Sequence, residues 1–132
     1  MTDRFFLYFP TMPRGTAQMK RYNGRTQTYF KDKKLRATEQ EFYLALKPHA
    51  PKTPSDKPIE LHIWFYFDVK EKKKWNQPKT SKPDVDNFCK TFIDQMTQCG
   101  FWTDDSQITD LHIEKYYAEK ATIVVQWEEI NE

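Results

Sequence analysis

The chain has 132 residues and a formal net charge of +2, a length that fits one domain around one core. Hydrophobic residues make up 38% and aromatics 16%, and the aromatics fall in patterned runs, which excludes a composition of the disordered kind. No apolar stretch is long enough to span a bilayer and none at the N-terminus reads as a signal peptide, so a soluble, cytoplasmic protein with no membrane partner is expected.

Phe5 to Phe9 is a short apolar run closed by Pro10 and Pro13, and it predicts a strand entering a loop. Residues 14–25 are basic and polar, with Gly15 and Gly24, and predict a loop; Thr26 to Phe30 predicts a short second strand. Leu35, Phe42, Ala45 and Leu46 recur at helical spacing, with Asp32 placed to cap that helix and Pro48 to limit it. Residues 48–58 hold four prolines and form a connector. Leu61, Ile63, Phe65, Phe67 and Val69 then alternate with His62, Trp64, Tyr66 and Asp68, the clearest strand in the chain. A second helix is predicted from Asp86 to Gly100, with Phe88, Phe92, Met96 and Cys99 on one stripe. Two strands follow, about Ile108–Tyr117 and Ala121–Glu128. The order β-β-α-β-α-β-β predicts a single α+β domain over residues 1–132, a mixed β-sheet with two main helices.

Cys89 and Cys99 are ten residues apart around the second helix; two thiols alone make no zinc site, and core or half-buried positions are expected for both. His49, His62 and His112 show no ligand spacing. Charge is divided along the chain. Residues 1–36 carry a net +7, residues 70–82 a net +5 and residues 84–132 a net −8. Such a split suits basic arms that hold a polyanion beside an acidic centre that needs a cation, although ordinary solvated surface would also produce it.

The densest chemistry lies in Lys82-Pro83-Asp84-Val85-Asp86-Asn87-Phe88-Cys89-Lys90. Asp84 and Asp86 stand at i and i+2 where an extended chain becomes a helix, and in extended backbone their side chains point to one side. Lys90 lies one turn beyond Asp86, so its ammonium can return to the same face. Past the helix, Gly100-Phe101-Trp102-Thr103-Asp104-Asp105 supplies another acidic pair. That pair reaches the first only if the loop doubles back. Converging carboxylates cannot all stay ionised without a cation, and a hard divalent ion suits oxygen ligands. The plain alternative is helix capping by Asp84 or Asp86 and a solvated turn at Asp104-Asp105.

Asp84-x-Asp86-Asn87-x-x-Lys90, then Asp94, then Gly100-Phe101-Trp102-x-Asp104-Asp105-x-Gln107, resembles the RusA family of Holliday junction resolvases. The resemblance spans about 25 residues with its internal spacing intact, and more weakly most of the chain. It implies a homodimeric, magnesium-dependent endonuclease, with Mn2+ as a possible substitute for Mg2+. It also implies that Asp84, Asp86 and Asp105 are the essential carboxylates, Asp104 their acidic neighbour at the metal, and Lys90 the catalytic lysine. The stretch before D-x-D is often arginine-rich in that family; here it is lysine-rich.

The expected activity is cleavage of four-way DNA junctions by metal-activated water. Arg14, Lys20, Arg21, Arg25, Lys72, Lys73 and Lys74 are the expected phosphate contacts, and Trp75 either stacks on a base or packs within its own loop. The rival readings are a nuclease for other branched DNA and a junction-binding protein that does not cut.

Overall fold

The computed structural model describes residues 3–15, 20–25, 28–31 and 33–131, and Asp32, the expected cap, lies outside them. Along the chain run strands β1 (Asp3–Phe9), β2 (Lys20–Asn23) and β3 (Thr28–Lys31), helix α1 (Lys33–Leu46), strand β4 (Ile59–Asp68), helix α2 (Val85–Cys99), and strands β5 (Ile108–Ala118) and β6 (Ala121–Glu129). The main sheet has the order β1-β6-β4-β5, in which β6 is antiparallel to both β1 and β4, while β4 and β5 run parallel. The expected α+β fold with a mixed sheet and two main helices is therefore what forms. One strand adds to that expectation: β2 pairs with β3 as a separate two-stranded ribbon where the sequence reads as a loop. Its residues are polar and basic, so no alternation of apolar side chains marks it.

Alternation in β4 translates directly into burial. Ile59, Leu61, Ile63, Phe65 and Phe67 are buried, while the residues between them are partly exposed. The buried face meets the stripe of α2: Phe65 lies 4.9 Å from Phe88 and 5.7 Å from Phe92, ring centre to ring centre. Phe42 of α1 packs edge-on against the same two rings, at 5.6 and 5.1 Å. Each such ring contributes about 1.5–3 kcal/mol by leaving water, so this cluster anchors both helices to one face of the sheet. Parallel neighbours need a crossover, and α2 is the crossover between β4 and β5. That connection positions the acidic motif, because both of its halves flank α2.

α1 ends at Leu46, and a short 3-10 turn, Lys47–His49, carries Pro48 as expected. The loop after β1 lies directly on α1. The Gly15 amide donates to Thr38 Oγ1 at 2.8 Å, and a Cβ on Gly15 would stand 2.6 Å from both that oxygen and the Lys34 carbonyl. Only glycine fits there. Cys89 and Cys99 are buried free thiols, as expected; burial pushes the Cys89 thiol up to about 12. No helix among the described residues is long and apolar enough to cross a membrane.

Candidate active site

The chain reaches Asp84 along the outer edge of β5. After β4 the Val69 amide donates to the Ala118 carbonyl at 2.9 Å and the Asn76 amide to that of Tyr117 at 2.8 Å. Two further bonds, Tyr117 N–H to the Gln77 carbonyl and Lys79 N–H to the Lys115 carbonyl, carry the segment past that edge and satisfy its backbone groups. Helix α2 begins one residue earlier than expected, at Val85, so Asp84 occupies the N-cap position and Asp86 the first turn. The two acids therefore do not share an extended stretch: Asp84 keeps extended backbone (φ −64°, ψ 138°), whereas Asp86 already follows helical geometry. Asp84 makes no side-chain capping bond, so its carboxylate is not consumed by the helix end.

Asp86, Lys90 and Asp94 recur every fourth residue and so form one stripe on α2. Asp86 and Lys90 are exposed. Asp86 also lies in the first turn of α2, near the positive end of the helix dipole.

Asp105 must return from the far end of a 15-residue helix, a distance of about 22 Å along the axis. Gly100, in left-handed conformation (φ 92°), stops the helix, and its amide and that of Phe101 donate to the Thr97 and Met96 carbonyls. Phe101 and Trp102 then plunge into the core, with the Trp102 indole donating to Thr97 Oγ1 at 2.9 Å. Ser55, in the proline-rich connector, clasps this turn from outside. Its amide donates to the Phe101 carbonyl at 3.1 Å, and its carbonyl accepts from the Thr103 amide at 3.2 Å. Gln107 completes the reversal. Its amide nitrogen donates to the carbonyls of Ser55 and Lys57, both at 2.9 Å, while its oxygen accepts from the Thr103 and Asp104 amides and from the Thr103 hydroxyl. The loop does double back.

The result is an open cavity of about 310 Å3 lined by Asp86, Lys90, Asp94 and Asp105, with Cys89 and Ile93 of α2 and Ile108, Leu111 and Ile113 of β5 forming its apolar floor. Acids from both ends of α2 thus face one space, with a lysine among them. Asp84 is not among the residues that line it. Asp104 instead caps the 3-10 turn Asp105–Gln107, accepting the Ser106 amide at 2.9 Å. Bonds from the Ser106 amide and hydroxyl, and one with Asp105, hold its carboxyl below the usual range. Among the described residues no three His, Cys, Asp or Glu side chains stand close enough to form a closed metal cage. The donor set is nonetheless all oxygen, which suits an ion that keeps several waters and takes phosphate oxygens as further ligands. None of the three histidines lines the cavity: His49 stacks on Phe5, His62 contacts Glu114 at 2.6 Å and His112 contacts Asp110 at 3.0 Å.

The model of the family described as endodeoxyribonuclease RusA matches residues 10–128. The chain belongs to the RusA family. It is 36% identical over 115 residues to the crossover junction endodeoxyribonuclease rusA of Lactococcus phage r1t, and the match covers 85% of each chain. It is 34% identical over 55 residues to the crossover junction endodeoxyribonuclease RusA of Escherichia coli strain K12, covering 42% of this chain and 46% of that one. The Bacillus subtilis protein YqaN, which carries no described activity, is 27% identical over 140 residues, 97% of this chain and 96% of its own.

In this RusA-family chain the basic residues expected to contact phosphate occupy three places. Arg14 lies over the Phe67 ring at 5.3 Å. Asp68 holds the adjoining segment, accepting from the Thr11 hydroxyl and the Met12 amide at 2.8 Å each. Burial pulls the Asp68 carboxyl upward, but those two bonds and the Arg14 charge outweigh it and leave it below the usual range. Lys20 and Arg21 fall in β2 and Arg25 in the turn before β3; the side chains of Lys20 and Arg21 lie outside the described residues. Lys72–Lys74 form a single 3-10 turn, with Lys72 and Lys73 exposed and Lys74 paired with Glu71 at 3.3 Å. Trp75 is partly buried and its indole donates to the Val69 carbonyl at 2.9 Å, which ties the ring to its own loop.

Three contributors escape sequence reasoning. Asp94 is recognisable in the motif, but only the cavity shows that it shares a space with Asp86 and Asp105. Gln107 stands in the motif without an evident role. Ser55 acts mainly through its backbone, for which a sequence carries no signal.

Proposed function

We propose that this RusA-family chain is a metal-dependent endonuclease that resolves four-way DNA junctions as a homodimer. The observation that supports it most is the single cavity shared by Asp86, Lys90, Asp94 and Asp105, side chains drawn from both ends of α2. Asp84, Asp86 and Asp105 would hold Mg2+, or Mn2+ in its place, with Asp104 as their neighbour. When bound, such an ion supplies the positive centre that eases deprotonation of water and neutralises charge on a phosphate. The carboxylates hold and orient that centre. Lys90 directs its ammonium at the phosphate oxygens as charge builds on them, a contact that strengthens in the transition state. The apolar floor of Ile93, Ile108 and Ile113 limits water on one side of the cavity. Lys72, Lys73 and the basic residues of 14–25 hold flanking phosphates, giving affinity that does not read sequence. A four-way junction offers two equivalent strands, and a two-fold dimer presents two matching sites to them.

The test is incubation of the purified protein with a synthetic four-way junction and a matched linear duplex, each with Mg2+ and with excess chelator. Symmetric cuts in the junction alone, abolished by chelator, are expected. Equal cutting of the duplex contradicts the substrate assignment, and full junction cleavage in chelator contradicts the metal.

A further inference from the structure

Asp84 is held from both sides while its carboxylate is left unused. On its C-terminal side its carbonyl accepts the Phe88 amide at 3.0 Å, the first bond of α2. On its N-terminal side stands Lys115 of β5. The Lys115 ammonium donates to the Ser81 carbonyl and to the Pro83 carbonyl, each at 2.6 Å. These are short, charge-assisted bonds, and together they use two of the three protons that an ammonium carries. The Pro83 carbonyl belongs to the same planar peptide as the Asp84 nitrogen, so fixing that oxygen fixes the plane from which the Asp84 side chain departs. Pro83 itself is buried, whereas Asp84 is exposed.

The neighbourhood reinforces this hold. Lys79, buried at 6% exposure, donates to the Ser81 hydroxyl at 2.6 Å, and that hydroxyl bonds with the Tyr117 hydroxyl at 3.0 Å. The Lys79 ammonium lies 5.2 Å from the centre of the Phe67 ring and 4.9 Å from that of Tyr117. Burial, then the charges of Arg14, Lys115 and Lys74, push the Lys79 ammonium below its usual range. Keeping these cations together opposes folding, so the contacts that they make must offset that cost.

We propose that Lys115 is a positioning residue for the metal site: by bridging the carbonyls of Ser81 and Pro83 it sets the direction in which Asp84 offers its carboxylate. The inference rests on the role proposed above for Asp84. Lys115 touches neither the cavity nor DNA in this scheme; it acts through the backbone, as an outer-shell partner acts on a ligand.

The experiment measures Mn2+ affinity without DNA, by electron paramagnetic resonance of the free ion, beside single-turnover junction cleavage. Four proteins are compared: wild type, Lys115→Met, Asp84→Asn and the double variant. Near-UV circular dichroism confirms that each is folded. Lys115→Met keeps the unbranched shape and most of the length of the side chain and removes its donors, and should weaken Mn2+ binding and slow cleavage by about tenfold to a hundredfold. In the Asp84→Asn background the same change should have no further effect on Mn2+ affinity, because its target carboxylate is gone. Lys115→Gln, one atom too short to bridge both carbonyls, replaces Lys115→Met if the latter does not fold, with the same expected direction. Wild-type Mn2+ affinity in the Lys115 variant overturns the inference, as does an equal loss in both backgrounds. Wild-type Mn2+ affinity and cleavage in Asp84→Asn instead overturn the role of Asp84, a result separable from the first because it appears in that variant alone.

Discussion

The side-chain oxygen of Gln107 accepts the Asp104 amide proton at 2.9 Å, and through that bond the turn carrying Asp105 is locked to the connector 50 residues upstream. Gln107→Ala removes this bond together with those to Ser55, Lys57 and Thr103. At about 0.5–1.5 kcal/mol net for each hydrogen bond, and with water replacing part of the loss, the variant should be about 1–3 kcal/mol less stable. Chemical denaturation measures that difference. Junction cleavage under single-turnover conditions should fall as well, while junction affinity holds, because the residue that moves is Asp105 and not a phosphate contact.

The elements that frame the site are legible in the sequence because their periods are unambiguous. β4 alternates without a break from Ile59 to Asp68, and the stripe Phe88, Phe92, Met96 and Cys99 ends at a glycine that adopts the left-handed conformation. The return of Asp105 is not legible. It depends on Ser55 and Gln107, whose contact spans 52 residues, and on burial of Phe101 and Trp102, which looks the same in sequence as any aromatic pair. The spacing of Asp84 and Asp86 misleads for a related reason. An i, i+2 pair shares a face only in extended chain, and the helix begins between them. The separate role of Asp104 is legible only in part: an acid three residues before Gln107 is a capping box, but the same letters read equally well as a ligand pair.

The lysine turn is expected to act on ground-state binding. Replacing Lys72, Lys73 and Lys74 together with Gln should weaken affinity for junction and duplex alike. It should also reduce the slope of log affinity against log salt by about one for each phosphate that is no longer neutralised. The residues differ in what they offer, since Lys74 is already paired with Glu71, so most of the slope change should come from Lys72 and Lys73. Filter-binding titrations across a salt series measure it, and an unchanged slope would mean that the turn points away from DNA.

Lys90 is expected to act on the transition state instead. Lys90→Ala should bind junctions almost as the wild type does and cut them slower by about a hundredfold to a thousandfold, as for removal of an oxyanion-type donor. Lys90→Arg keeps the charge but changes its shape and reach, so partial recovery is expected. Were Lys90 only a surface partner of Asp86 one turn away, removing it would cost about 0.3–0.5 kcal/mol of stability and leave the rate intact. Single-turnover cleavage beside a gel-shift titration separates the two.

In the proposed mechanism acids from both ends of α2 serve one metal-dependent site, and cleavage compared with binding for Asp86→Asn and Asp105→Asn tests this. Each variant removes a negative charge that would repel phosphate, so junction affinity should stay the same or rise. Single-turnover cleavage of the four-way junction in Mg2+ should fall by at least about a hundredfold in each, with the two variants alike although their residues are 19 positions apart. Wild-type cleavage by either variant, or a drop in rate that merely follows a drop in binding, would show that the two acids do not share a catalytic site.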